Sequence, residues 1–439
     1  MTPAHFEALY PEDSREEELK KLLQFVKEGN SAQLIGLPGV GRANILGFLA
    51  YNKAVREHHL GHLAQWFHFV LVNFTEVRNK PLSEVTKLFF LELSDSLRER
   101  GMIEESEKVA EMFKEHLSFQ DDLVLFQGLK KAVDYLSIEK ELTIIFLFER
   151  FETYIPMLTD EFFSNLRILR NKAKYRFSVI FSLTRPLEDL IEPLLLSDFY
   201  EFLAGHSVYL SLYDKPGLSF RLEYLAKVSG KEIASSLVEK VLSFTKGHGK
   251  LTKIGVEKAL LLDKTAKDVT PEWLLSQISI QGALFEIWNF LSTQEQTQLI
   301  SEHPHSEFLE NVHLLEQGSI TIPLFKTYVD EQAKKELAAP FVYNAETNTI
   351  SKGTQMVSDN LTKAEFRLLK LLLTHKDSVV EREDIITAVW DASASTAGVT
   401  DQALDQLIFR LRKKIEKDPN VPFYIQTIKG RGVKFSDTI

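Results

Sequence analysis

The sequence predicts a multidomain chain, α/β over its first half and α+β at its C-terminal end, and three observations predict it. Near-continuous apolar runs at 67–74, 143–148 and 178–183 alternate with stretches of helical period, the pattern of a parallel sheet covered on both faces. A glycine-rich segment, Gly36-Leu37-Pro38-Gly39-Val40-Gly41, joins the short run Ala32-Gln33-Leu34-Ile35 to a helical stretch at 44–55. The last hundred residues read as a hairpin, three helices and a second hairpin. At 439 residues the chain is too long for a single core.

Composition excludes several classes. The chain is 44% hydrophobic and 26% charged, as a globular protein is. It has no apolar run of the roughly 18–20 residues a membrane span needs, and Met1-Thr2-Pro3-Ala4-His5-Phe6 lacks a secretory pattern. The expectation is a cytoplasmic protein without membrane contact. With zero cysteines there are no disulfides, thiolate metal sites or cysteine nucleophile, and HExxH and GxSxG are absent, so no metal site and no catalytic residue is expected. The net charge of −10 is uneven: residues 355–439 carry 13 basic against 12 acidic residues, and between Gln402 and Lys434 the ratio is eight to three. A local basic surface is what a nucleic acid requires; a solvated helix face is the plainer alternative.

Along the chain, Asp13-Ser14 before Glu16-Glu17-Glu18 reads as a helix start, with Leu19, Leu22, Leu23 and Val26 at helical spacing. From about 207 to 275 the pattern is mainly helical. Residues 280–335 read as short helices at 283–291 and 294–300 and a β-wing at 314–323, followed by a polar linker at 330–336. The expected domains are 1–205, 206–279, 280–335 and 338–439.

The glycine-rich turn lies where a phosphate-binding GxxxxGK[ST] loop belongs, between a strand and a helix N-terminus that favours an anion. Gly36, Gly39 and Gly41 would let backbone N–H groups converge, but Arg42 and Ala43 stand where lysine and Ser/Thr should be, and alanine offers Mg²⁺ no oxygen. In Thr143-Ile144-Ile145-Phe146-Leu147-Phe148-Glu149, Phe148 falls at the metal-linked acid and Glu149 at the water-activating one; Ser182 and Thr184 on a third strand can face a phosphate. Together with Thr245-Lys246-Gly247-His248-Gly249-Lys250, these segments resemble the P-loop ATPase core and helical lid of AAA+ initiators and STAND NTPases over about residues 5–275. Lys246 and Gly249 depart from the lid motif. The resemblance implies ATP or ADP as ligand, with Gly36, Gly39, Gly41, Arg42 and Glu149 as a degenerate site without Mg²⁺-dependent turnover. The alternative is a scaffold in which the glycines only make a tight turn, and His248 reads more simply as a packed or capping residue than as a ligand. Residues 280–335 resemble the additional winged helix that follows the lid in those families, which implies helices at 294–300 and 308–315 and a wing at 318–325.

At the C-terminus, Thr362 and Glu365 form a capping box, residues 379–390 read as a second helix, and a third runs from about 400 to 415 after a Ser/Ala-rich loop at 391–398. Leu404, Leu407, Ile408, Leu411 and Ile415 repeat at three- and four-residue steps, leaving Gln402, Gln406, Phe409, Arg410 and Lys413 on the other face with Arg412 and Lys414 at its edges. Gln reads adenine, Arg reads guanine, and an exposed Phe touches a thymine methyl; packing against another domain is an equal reading for Phe409. Lys429-Gly430-Arg431-Gly432 tips the final hairpin. With Leu361-Thr362, Glu365, Arg382-Glu383, Val389-Trp390 and Tyr424-Ile425, these stretches resemble the OmpR/PhoB-type winged-helix DNA-binding domain along residues 338–439, Val433 replacing the usual tyrosine. The resemblance places the third helix in the major groove, and Arg431 has the shape to enter a minor groove. No phospho-receiver is apparent.

The expected protein is a sequence-specific regulator of transcription that binds double-stranded DNA through Gln402, Gln406, Phe409, Arg410, Arg412, Lys413, Lys414, Lys429 and Arg431. RNA polymerase and a second copy of the chain are the further partners implied. A slowly cycling ATP-dependent switch and a protein-binding scaffold are the competing readings.

Overall fold

The computed structural model describes residues 5–117, 121–301, 304–353, 355–390, 401–416 and 418–437. The chain divides into two compact units, 1–328 and 329–439.

The first unit is built on five parallel strands: β1 (Ala32–Ile35), β2 (Phe67–Asn73), β3 (Thr143–Glu149), β4 (Phe177–Leu183) and β5 (Ser207–Tyr209), in the order β2-β3-β4-β1-β5. All seven residues of β4 are buried, as a strand covered on both faces requires. β1 lies between β4 (Ala32 opposite Ile180) and β5 (Gln33 opposite Ser207). The apolar runs of the sequence mark β2, β3 and β4 to within a residue. β5 falls in a stretch expected to be helical; three residues are too few to show an alternation.

Helix α1 (Glu16–Lys27) precedes β1 and buries Leu19, Leu22, Leu23 and Val26. Its expected cap does not form. Arg15 holds the N-cap position at φ 56° without a side-chain cap bond, and Glu16, Glu17 and Glu18 supply negative charge to the helix start. The helix expected at 44–55 is two helices, α2 (Arg42–Tyr51) and α3 (Lys53–Leu60), because the Asn52 side chain accepts from Val55 N at 3.1 Å and restarts the chain.

The region after β5 is helical, with Lys215–Ser229, Ser235–Thr245 and Gly249–Leu261 as its longest helices through residue 261. Residues 278–320 contain helices Ile278–Phe290, Thr293–Ile300 and Glu307–Asn311 and a hairpin of β6 (Leu315–Glu316) with β7 (Ser319–Ile320). The wing-like segment ends there: Phe325 belongs to the helix Pro323–Ala338, which also takes in the polar run expected to be a linker. That run has no glycine or proline to stop a helix.

In the second unit, β8 (Phe341–Asn344), β9 (Thr349–Lys352) and β10 (Gln355–Met356) form an antiparallel sheet. Helices Lys363–Thr374, Arg382–Val389 and Asp401–Ile415 follow, the first with the expected Thr362–Glu365 capping box. The expected second helix starts late, at Arg382: Val379 and Val380 form β11, which pairs with β13 (Gly432–Phe435), itself paired with β12 (Ile425–Ile428). Two β-branched residues favour the strand. The core gathers Leu368, Leu369, Leu372, Ile385, Leu404, Leu407, Ile408, Leu411, Ile425 and Phe435. Val433 is fully buried within it. The expected 391–398 loop lies outside the described residues.

Candidate nucleic-acid interface and phosphate-loop cleft

The helix Asp401–Ile415 buries Leu404, Leu407, Ile408 and Leu411 and presents Gln402, Gln406, Phe409, Arg410 and Lys413 to solvent. Phe409 is 40% exposed, and the Lys413 ammonium lies 5.0 Å from its ring centre. The start of this helix is fastened by Arg382, whose Nε donates to Asp401 Oδ1 and whose Nη2 donates to Asp405 Oδ1, both at 2.8 Å. Arg367 ties the first helix to the end of the second by donating to Val389 O at 3.0 Å. Two arginines outside the expected set thus orient the helix pair.

Two expected DNA contacts are committed to other partners. Arg412 donates from Nε and Nη2 to Ile425 O at 3.0 and 2.7 Å, and from Nη2 to Thr427 Oγ1 at 2.7 Å, riveting the helix to β12. Lys414 donates to Asn360 O at 2.8 Å and pairs with Glu365 Oε2 at 2.6 Å. Burial alone would raise the Glu365 carboxyl, but Lys414 and the Thr362 bonds hold it below the ordinary range. Counting basic residues could not separate these two from Arg410 and Lys413, because the difference lies in where the sheet and first helix pack.

Lys429 and Arg431 are exposed in the turn between β12 and β13. Gly430 has φ +72° and Gly432 φ +142°, and a Cβ on Gly432 would stand 2.0 Å from Val380 O. Only glycine allows the wing to close against β11.

In the first unit, Gly39 (φ +85°) and Gly41 (φ +105°) bend the chain between β1 and α2. Three successive carbonyls of this loop are bonded from outside it. His248 Nε2 lies 2.9 Å from Pro38 O, Lys250 N donates to Gly39 O at 3.0 Å, and Arg15 donates to Val40 O. His248 Nδ1 accepts from Leu251 N at 3.3 Å, which makes Nε2 the donor and the residue a helix cap, the plainer of its two readings. Burial lowers its pKa to about 4.

The loop opens on a cleft of about 640 Å³ lined by Gly39, Gly41, Arg42 and Glu149 from the expected set. Gly36 is not in its wall; a Cβ there would meet Val40 Cγ2 at 3.0 Å and Leu210 Cβ at 3.1 Å, so the glycine serves packing. The wall also carries Arg15, Arg150, Arg221, Lys250 and Lys253 against Glu152 and Asp214. Apart from Lys250, which closes the lid motif, these residues are scattered through the sequence and show no motif.

The last two residues of β3 face opposite ways. Phe148 is fully buried among Phe74, Phe89, Phe162 and Phe181. Strand alternation turns Glu149 the other way, to the cleft, so Glu149 is the acid the strand offers a loop-bound group. Burial raises its carboxyl above the ordinary value, opposed by Arg150 and Arg42. Arg42 pairs with Glu152 at 3.5 Å, and burial lowers its guanidinium. Glu152 also accepts from Thr184 N at 2.5 Å. Beyond Thr184, Arg185 forms a two-pronged pair with Glu295 and stacks 4.5 Å from the Phe308 ring centre.

A three-helix unit with a basic-tipped hairpin and an exposed polar face on its third helix is a winged-helix DNA-binding domain of the OmpR/PhoB type. Residues 358–435 match the family model described as "Transcriptional regulatory protein, C terminal". Protein PetR of Rhodobacter capsulatus is 38% identical over 95 residues, 21% of this chain and 39% of that protein. Regulatory protein VirG of Rhizobium rhizogenes is 40% identical over 75 residues, 17% of this chain and 30% of VirG. The chain thus spans well under half the length of these curated relatives. Among solved structures, the Klebsiella pneumoniae RstA DNA-binding domain in complex with RstA box is 24% identical, covering 22% of this chain and 92% of that one (TM-score 0.19). The Walker-type ATPase of Pyrococcus abyssi is 14% identical, covering 75% and 98% (TM-score 0.44), and Aeropyrum pernix ORC2 in its ADP form 15%, covering 79% and 89% (TM-score 0.38). Among the described residues, no helix is long and apolar enough to cross a membrane.

Proposed function

We propose that the chain is a sequence-specific double-stranded-DNA-binding transcription regulator whose ATPase-like unit regulates without hydrolysing nucleotide. One observation carries the DNA reading: Gln402, Gln406, Phe409, Arg410 and Lys413 share the solvent face of a helix whose opposite face is core. Gln402 and Gln406 read base edges, Arg410 and Lys413 hold phosphates, and Lys429 and Arg431 engage the backbone and minor groove beside them. RNA polymerase and a second copy of the chain are the partners of this reading, and the cytoplasm its location.

The cleft supports the regulatory half. Its cationic wall suits a polyanion such as ATP or ADP, while Ala43 supplies no metal ligand and Arg42 is engaged by Glu152. Glu149 facing the cleft is the observation that favours the second reading, a slowly cycling ATPase switch.

The test is an anisotropy titration of the full chain against random and selected duplexes at two salt concentrations, with and without ATP. Salt-dependent binding lost on deleting 338–439 is expected; binding unchanged by that deletion would overturn the reading. Mg²⁺-dependent phosphate release abolished by Glu149→Gln would favour the switch.

A further inference from the structure

Away from the cleft, Glu16 at the start of α1 meets His58 and His59 at the end of α3. Glu16 Oε2 lies 2.9 Å from His58 Nε2 and 3.7 Å from His59 Nε2, and one ligand atom from each residue falls within 4.8 Å of the others. The two imidazoles stand perpendicular with ring centres 4.9 Å apart. The His59 side chain is only 4% exposed, and its Nε2 is buried with no hydrogen-bond partner among the described residues. Leaving such a nitrogen unsatisfied is costly, because it is desolvated without compensation. Something outside the chain's own donors and acceptors accounts for it best.

We propose that Glu16, His58 and His59 form a binding site for a divalent transition metal of the zinc class. Two imidazoles and a carboxylate are a set such ions accept, at bond lengths of about 2.0–2.2 Å that separate tetrahedral ligands by roughly 3.3–3.5 Å. The Glu16 contacts bracket that spacing, and rotation of the half-exposed Glu16 and His58 side chains closes the remaining edge. The partly open side of the site leaves a coordination position for water. Glu12 Oε1 lies 3.9 Å from His58 Nδ1, beyond hydrogen-bond reach. The ion would clamp α1 to α3, the helices on either side of β1, the phosphate loop and α2. Arg15, which precedes the ligand Glu16, donates to Val40 O of that loop. The chain has no cysteine, so no thiolate competes for the ion.

The experiment is a Zn²⁺ titration of the full chain against a chromophoric chelator, with Co²⁺ absorption as a second readout. One high-affinity Zn²⁺ per chain is expected, with a rise in melting temperature. Glu16→Gln and His58→Gln, both at partly exposed positions, should each weaken Zn²⁺ by more than the roughly 10–100-fold that loss of an outer-shell partner costs. Circular dichroism confirms that the variants fold. The proposal is overturned if the wild type binds no Zn²⁺ more tightly than the His58→Gln/His59→Gln double variant, or if Glu16→Gln leaves stoichiometry, affinity and the Co²⁺ spectrum unchanged.

Discussion

Arg410 and Arg412 are two residues apart on one helix, and the direction of each side chain separates their roles. Arg410 is exposed, whereas Arg412 spends its guanidinium on Ile425 O and Thr427 Oγ1. Arg410→Ala should weaken binding about equally on all sequences and reduce the salt slope by about 1, with no change in melting temperature. Arg412→Ala should cost about 1–3 kcal/mol of stability by stranding the Ile425 carbonyl, seen as a lower urea midpoint. Gln406→Ala should leave stability alone and relax sequence choice by about 1–3 kcal/mol per lost base contact; an equal loss on every duplex would refute its reading role. The exposed face was legible in the sequence because heptad-like spacing reports burial directly. The commitment of Arg412 and Lys414 was not, because it depends on β12 and on Glu365, which come near them only in the folded unit.

At the scale of elements, the long apolar strands and the capped helix at Lys363 were readable because each announces itself locally. β5 and β11 were not: each is two or three residues long and is a strand only because a neighbour pairs with it. The contact between the end of β4 and the helix Thr293–Ile300 is equally non-local. Burial would raise Glu295, but the Arg185 guanidinium and the Ser292 backbone and hydroxyl hold it below the ordinary carboxylate range. A folded-state value below the unfolded one stabilises the protein at pH above the unfolded value, and the contribution disappears as pH falls through the folded value. Glu295→Gln should therefore lower stability near neutrality and flatten the acid limb of a stability–pH profile. A variant whose acid limb matches the wild type would show that the pair is not coupled to folding.

Across the whole molecule, the net negative charge lies outside residues 355–439, which are net +1 in a chain of −10. Affinity for duplex DNA should therefore follow the local basic surface of the helix and wing and fall steeply with salt. Removing residues 1–335 should change operator affinity, stoichiometry or transcription if the first unit regulates the second; no change in any of the three would leave that unit without a regulatory role.

The position of β1 in the sheet also bears on how the chain is made. It is synthesised before both of its neighbours, β4 and β5, the nearer of which begins at Phe177. At translation speeds of about 5–20 residues per second, Leu34 and Ile35 wait roughly 7–30 s before either edge of their strand can be paired. A nascent chain halted before β4 holds an apolar strand with both edges open, a template for aggregation. Polypeptides released just before residue 177 should accumulate in the insoluble fraction or on chaperones, and those extended past Tyr209 should not.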